Sequence, residues 1–574
     1  MTGNLQALLT AALEPAFTEL SGGALPDPVL RKSTRCDYQV NGALALARAL
    51  SVSPQEAARQ VVERTDLSAL VDRAEIAPNG FINLTVRDDL IAECFAAMTA
   101  DPLLGIVPAA APRTIVVDYS HPNVAKEMHV GHLRTTIIGD ALVRMLTRLG
   151  HSVIRENHIG DWGTPFGMLI EHLLDIGEAG TAQSLSLGDL NGFYRSAREK
   201  FDADQDFAER ARRRVVSLQG GDAQSVTLWR ILVDQSALYF QQVYDMLGVL
   251  LTPADIVGES FYNDMLPAVV ADLRNAGVLS ESDGAACCFP AGFVSRSGDP
   301  LPLIVRKSDG GFGYAATVLA ALRDRAGRLH ADEILYVVGA PQREHLAMCI
   351  AVAREASWVP SGVRTEHVSF GSVLGPDRRP FKTRAGASVR LIDLLDESVV
   401  KALSVVCEKN PALTGHEREL VAKAVGIGAV KYAELSIDRV KDYVFDWSHM
   451  LSFDGNTGPY LQYAYARARA VLRKAPGYSG GKLAPGHPAE HALALLVLDY
   501  PNAFMEAVES YAPHKLCAYL YAVAQAFASF YEECPILKAG DRTVRDSRLA
   551  LTEATTVILR DALGLLGIQA MERL

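Results

Sequence analysis

The sequence predicts an α/β fold: a doubly wound parallel sheet, preceded by an α+β domain and followed by an all-helical domain. Three observations predict it. The β-branched run Thr114-Ile115-Val116-Val117-Asp118 leads through a loop into a helix near Gly131, and Ser152-Val153-Ile154 opens the next strand. Strand, helix, strand in that order is a βαβ unit, whose strands run parallel. Ahead of it, helical segments alternate with a short polar strand around residues 80–85, and beyond residue 391 the pattern is almost wholly helical.

A chain of 574 residues outgrows a single core, since cores rarely extend past about 250–300 residues. Four regions are expected. The first, 1–112, opens with an amphipathic helix and closes in Ala109-Ala110-Ala111-Pro112, which has the composition of a linker. The second, 113–390, holds the parallel sheet. Its first helix carries Ile137, Ile138, Ala141, Leu142, Met145, Leu146 and Leu149 at the spacing of one buried face, and Gly150 ends it. Three later strands, 301–307, 334–338 and 367–370, are expected to extend the same sheet, and a helix-rich insertion at about 173–270 divides its halves. A helical connection, 391–455, leads to a helical domain over 456–574. Turns break these helices at Asn410-Pro411 and Pro476-Gly477, and a further helical stretch begins near Gly486.

Composition excludes several classes. Apolar residues make up 49% and charged residues 21%, as in ordinary globular proteins. The chain lacks the run of roughly 18 apolar residues that a membrane span needs, and its N-terminus lacks the pattern of a secretion signal. A soluble, cytoplasmic monomer is expected. Eight cysteines are scattered without CxxC spacing, so neither a zinc ribbon nor a disulfide framework is expected, and no protein-bound metal. A net charge of −11 argues against a general nucleic-acid coat, although a local basic surface suffices to bind phosphates. Arg210 with Arg212 to Arg214, Arg467 with Arg469, Arg473 and Lys474, and Arg542 with Arg545 and Arg548 are candidate surfaces. Each is more simply a solvated helix face.

The strongest chemical signal is His129-Val130-Gly131-His132 at the loop-to-helix junction after the first strand. Alone, two histidines three apart also fit a metal pair, a helix cap or plain surface. Their position favours a nucleotide. Ligands of open parallel sheets sit at the carboxyl ends of strands, where a helix N-terminus offers free N–H donors. Glycine there allows an adenine ring close to the backbone, and two imidazoles can donate to phosphate oxygens that gain charge during attack at the α-phosphorus.

Residues 117–134 as a whole resemble the signature of arginyl-tRNA synthetases, a class I (HxGH) family. The likeness continues through Ile138-Gly139-Asp140 and through residues 157–163, from Asn157 to Gly163. Asp37-Tyr38-Gln39-Val40-Asn41-Gly42 resembles that family's additional N-terminal domain, which contacts the tRNA elbow. Residues 455–464 resemble the start of its helical anticodon-binding domain, and residues 566–574 its terminus. The resemblance implies a Rossmann-type catalytic sheet, ATP with Mg²⁺ as co-substrate, and L-arginine and tRNA(Arg) as partners. It implies arginine–tRNA ligation, with ATP held by His129, Gly131 and His132. The class's second signature, a Lys-Met-Ser-Lys-Ser loop, is not spelled out. Phe381-Lys382-Thr383-Arg384-Ala385-Gly386 stands in its place, so Lys382 and Arg384 are expected to meet the phosphates. Lys126, just before HxGH, is the lysine that compensates in family members lacking the full loop.

By the same resemblance Asp118, Asn123, Tyr314 and Gln342 form the amino-acid pocket, and Tyr38, Asn41, Tyr460 and Arg467 contact tRNA. One element departs. The family usually carries Tyr-x-x-x-Asp, its aspartate gripping the guanidinium, but here Tyr314 is followed by Val318, and Pro341 stands where an acidic residue is common. A charge left unpaired in a buried site costs about 3–5 kcal/mol, or some hundredfold or more in binding at ~1.4 kcal/mol per decade. Two readings stay open beside plain ligation: a diverged paralogue of altered amino-acid specificity or antibiotic-resistance role, and a non-catalytic tRNA-binding shell. A small nucleotidyltransferase is set aside, because such an enzyme has no reason to carry the long helical C-terminal domain.

Overall fold

Period-two burial sets the first sheet. Ile82, Leu84 and Val86 are buried while Asn83 and Thr85 between them are half-exposed, the alternation of a sheet covered on one face. Strands β1 (Leu30–Lys32), β2 (Tyr38–Val40), β3 (Val71–Ile76) and β4 (Ile82–Val86) pair antiparallel in the order β1-β2-β4-β3. The computed structural model describes residues 4–33, 35–186, 190–375, 377–379, 381 and 389–574. It divides into two units, Met1–Val107 with Phe453–Gly564 and Gln569–Leu574, and Pro108–Ser452 with Leu565–Ile568. Within the first unit the N-terminal sheet and the C-terminal helices pack together. His491, on the helix Pro488–Leu498, lies 3.0 Å from Asp37 and 2.9 Å from Asp88, and Lys32 pairs with Asp499 at 3.0 Å.

The second unit is built on the parallel sheet. Strand β5 (Thr114–Asp118) pairs with β6 (Ser152–Glu156) on one side. Between these two runs the helix Val130–Arg148, the signature helix. It approaches the sheet closely because Gly139 has no side chain: a Cβ there would stand 2.4 Å from the Tyr119 ring. The insertion is helical, with helices Thr164–Ser186, Leu190–Ala203, Gln205–Gln219 and Ala223–Leu247.

One expected strand belongs elsewhere. Residues 301–307 do not join the parallel sheet. After β7 (Leu279–Ser282) and β8 (Ala285–Cys288), the segment forms β9 (Leu303–Arg306) of a separate three-stranded antiparallel sheet. The reason is its alternation: Leu303 and Val305 are buried, but Ile304 is 46% exposed. A strand wet on one side suits an antiparallel edge and not the doubly covered centre of a parallel sheet. The central sheet is completed by β10 (Glu333–Tyr336), buried throughout, and β11 (Arg364–His367), giving the order β11-β10-β5-β6 with every pair parallel. The last strand therefore begins three residues earlier than the expected 367–370.

Candidate active site

The chain leaves β5 at Asp118 through a strained loop. Ser120, His121 and Ala125 have φ of 83°, 54° and 57°, left-handed values that side-chain-bearing residues adopt only when their surroundings hold them. Those surroundings are hydrogen bonds. The Ser120 amide donates to Thr135 Oγ1 at 3.0 Å, the His121 amide to Asn157 Oδ1 at 3.1 Å, and the Ala125 amide to Ser236 Oγ at 2.9 Å.

The loop delivers His129 to the N-cap of the signature helix. Its Nδ1 accepts from the Gly131 amide at 3.0 Å, and His132 Nδ1 accepts from the His129 amide at 3.1 Å. The two imidazoles thus form a reciprocal capping box, their centroids 4.1 Å apart. An accepting Nδ1 places the ring proton on Nε2, so each ring keeps one N–H for a ligand. Burial, followed by nearby Lys126, lowers the His129 pKa. Burial, then His129, pushes His132 down to about 3, and both rings are neutral at pH 7. Gly131 has a second reason to be glycine: a Cβ would meet His129 Cε1 at 2.7 Å and Nδ1 at 2.8 Å, so only glycine lets that ring fold onto the cap.

Lys126 lies with its ammonium 4.5 Å from the Tyr194 ring centroid. Lys382 and Arg384 lie outside the described residues. The chain beyond them returns to HxGH: the Val130 amide donates to Val389 O at 3.2 Å, the Leu391 amide to Met128 O at 2.8 Å, and Arg390 pairs with Glu127 at 3.2 Å.

On the other side of Asp118 opens a cleft. Asp118, Tyr314, Val318 and Gln342 all line it. Asn123 is not among its lining residues. It is exposed and bridges to Gly160, where any Cβ would stand 2.4 Å from Asn123 Oδ1. Val318 sits on the helix Tyr314–Gly327, and Tyr314 stacks on His345 at 5.3 Å.

The feature that sequence reasoning missed is Arg325, on the same helix and fully buried. Its Nη2 stands 2.8 Å from Asp118 Oδ2, its Nε donates to Glu156 Oε2 at 2.6 Å, and its guanidinium lies 5.1 Å from the Tyr336 ring centroid. His121 Nε2 holds the other Asp118 oxygen at 2.6 Å. Burial opposes ionisation of Asp118, yet Arg325 and His121 together bring its pKa well below the carboxylate range. Burial raises that of Glu156, with Arg325 opposing. His158, also at the cleft and 8% exposed, has no hydrogen-bond partner on either ring nitrogen, and burial pushes its pKa down to about 4. A signal for Arg325 was present. Tyr314, Val318, Ala321 and Arg325 are spaced by four, three and four, one face of a helix, and all four line the cleft.

Of the expected RNA contacts, Tyr38 is a core residue at 1% exposure, which leaves its ring no surface for RNA. It is on the buried face of β2, opposite the buried Leu84 of β4. Asn41 is half-buried. Tyr460 packs edge-on to Tyr521 at 5.7 Å, while Arg467 lies 4.1 Å over the half-exposed Tyr531 ring. Several of the other candidate arginines pair with carboxylates: Arg469 and Arg473 with Glu572, Arg548 with Glu490, Arg210 with Asp175 and Arg214 with Glu171.

Comparisons with known proteins agree with this arrangement along the whole chain. Residues 97–447 match the family profile "tRNA synthetases class I (R), catalytic domain", residues 3–86 the "Arginyl tRNA synthetase N terminal domain", and residues 461–574 the "DALR anticodon binding domain". Fold and site together define a class I aminoacyl-tRNA synthetase, an enzyme that takes ATP. The arginine–tRNA ligase of Thermobifida fusca (strain YX) is 51% identical over 573 residues, 99% of this chain and 98% of that protein. Solved arginyl-tRNA synthetases of Plasmodium falciparum and Thermus thermophilus superpose with TM-scores of 0.84 and 0.83 at 26% and 25% identity, covering 100% and 99% of this chain and 99% and 100% of theirs. The chain belongs to the arginyl-tRNA synthetase family. Among the described residues no helix is long and apolar enough to cross a membrane.

Proposed function

We propose that the chain activates L-arginine with ATP and transfers it to the 3′-terminal adenosine of tRNA(Arg). The arginine carboxylate attacks the α-phosphorus, the α–β anhydride bond breaks, and pyrophosphate leaves arginyl-adenylate behind. The terminal ribose hydroxyl, the 2′ in this class, then attacks the adenylate carbonyl, and AMP departs. One observation carries the reading: both HxGH imidazoles spend Nδ1 on the backbone and keep Nε2–H at a helix N-terminus. Donors fixed before charge develops need no reorganisation when it does. Mg²⁺ arriving with ATP would neutralise phosphate charge as pyrophosphate leaves. Lys126, Lys382 and Arg384 neutralise the departing pyrophosphate. Asp118, Asn123, Tyr314 and Gln342 hold the amino acid. Tyr460, Arg467 and Tyr531 offer unstacked anticodon bases a surface worth about 1–3 kcal/mol per stacked base.

The test is exchange of labelled pyrophosphate into ATP, driven by arginine, with and without tRNA. Exchange only in the presence of tRNA is expected, as the family resemblance implies. Absence of exchange under both conditions refutes the activity, and exchange without tRNA refutes the dependence alone.

A further inference from the structure

We propose that the helix Gly415–Leu435 sets the axial position of the HxGH corner, with Glu434 and Lys431 as its positioning residues. The inference rests on the adenylation reading above and adds to it two residues that touch no substrate.

Two observations carry it. The first is a double polar hold on the signature helix. Arg134, two residues beyond His132, and Asp140 stand on that helix, Glu434 and Lys431 on its partner, and all four are buried. Arg134 Nε lies 3.1 Å from Glu434 Oε2, while Glu434 Oε1 accepts from the Tyr443 hydroxyl. Lys431 Nζ donates to Leu247 O and to Gly567 O, each at 2.7 Å. Asp140 closes the same corner. It accepts from the Leu250 amide at 2.6 Å, and a Cβ at Gly567 would meet Lys431 Nζ at 2.6 Å and Asp140 Oδ2 at 3.2 Å. Burial disfavours the charges of Glu434 and Lys431, and Arg134 and Asp140 respectively work against that. The other buried residues of the partner helix are mostly small and apolar, among them Ala422, Ala424, Gly426, Gly428 and Ala429. Apolar packing is non-directional and tolerates a slide, whereas buried charges meet their partners in one register.

The second observation is that the chain leaving this helix also supports the segment that runs on to Lys382. Strand β12 (Val373–Leu374) pairs parallel with β13 (Tyr443–Val444). The Gly371 amide donates to Arg439 O at 2.9 Å, Arg439 Nη1 to Ser369 O at 2.8 Å, and the Ser372 amide to Asp442 Oδ1 at 2.5 Å. Phe381 stacks on Phe445 at 4.9 Å. Arg134 Nη1 donates to Lys441 O at 2.9 Å, so residues 434–445 are a common reference for the signature helix and for segment 369–381. A misplacement of about 1 Å can cost about a hundredfold in rate. Loss of the register therefore slows the chemical step, while the cleft residues, which stand on other elements, hold arginine as before.

The experiment measures pyrophosphate exchange, with arginine and tRNA present, on the full chain and on Lys431→Met, Glu434→Gln and the charge-free pair Arg134→Met with Glu434→Gln. Urea midpoints are taken alongside. The expected result is a fall in kcat of about tenfold or more in each variant, with the arginine KM within about threefold of the parent. The charge-free pair should keep the parental midpoint, because neither charge is left unanswered. A folded variant with parental kcat overturns the inference and leaves arginine ligation standing, and so does a rise in the arginine KM that accompanies the fall in kcat. Failure of the charge-free pair to fold overturns it as well, since the four residues would then hold the fold and not the register. A parent without exchange removes adenylation and this inference together.

Discussion

The HxGH corner and the amino-acid cleft both begin where β5 ends, yet they are assembled from different materials. The first is local: His129, Gly131 and His132 span four residues and orient one another through the helix's own amides. It carries two neutral rings and no ion pair of its own. The second draws Asp118, Glu156 and Arg325 from two strands and a distant helix and holds them by charge, with neutral His158 left unpartnered beside them. A cap preorganises donors at little cost, because the amides it satisfies are orphaned anyway. A buried charge cluster holds only while every member is present.

The largest effect expected from this contrast is on stability. Arg325→Met leaves Glu156 without its cationic partner and Asp118 with His121 alone, and should cost about 3–5 kcal/mol, read from the urea midpoint. A variant as stable as the parent would show that the trio does not hold the cleft. His132→Ala should do the reverse, costing only about 1 kcal/mol for its half of the capping box while slowing exchange by about 10²–10³ in kcat, or ~2.7–4 kcal/mol, as for loss of one transition-state donor. An unimpaired rate would remove the proposed role.

The third expectation concerns pH. His132 and His158 have folded pKa values of about 3 and about 4, below the unfolded value of about 6.5. In the window between, the unfolded chain binds protons that the folded chain refuses, so stability is full above pH 6.5 and falls as pH drops toward 4 and 3. Each group contributes a slope of up to about 1.4 kcal/mol per pH unit, and His132→Gln or His158→Gln should flatten the acid side of the stability curve. If neither does, the rings titrate normally and the neutral-donor account fails. The smallest effect belongs to Gly131→Ala. Loss of the His129 cap, about 1 kcal/mol, is nearly offset by alanine's helix propensity of about 0.8–1.0 kcal/mol over glycine. Tm should stay within a few degrees while exchange falls, because the Cβ drives the His129 ring off Gly131. A variant with unchanged exchange would sever ring position from activity.

The same division explains what could be read without a structure. The strand from Thr114, the signature helix and the helical C-terminal part were legible because period and punctuation are local properties. The strand at 301–307 was misassigned because an apolar run does not say which of its faces will be wet, and Ile304 became visible as an outward residue only once β8 lay beside it. The burial of Tyr38, expected by resemblance to contact tRNA, was not legible because it depends on strands that follow it by more than thirty residues.

For the active site, the sequence by itself determined the nucleotide corner, since a cap is made by residues three apart and their spacing is its geometry. It also disclosed the valine at 318. What only the tertiary structure decided was the electrostatic state of the cleft. Whether Asp118 is free or occupied depends on where a helix two hundred residues away sets down one guanidinium, and that is a matter of packing, which no spacing along the chain encodes.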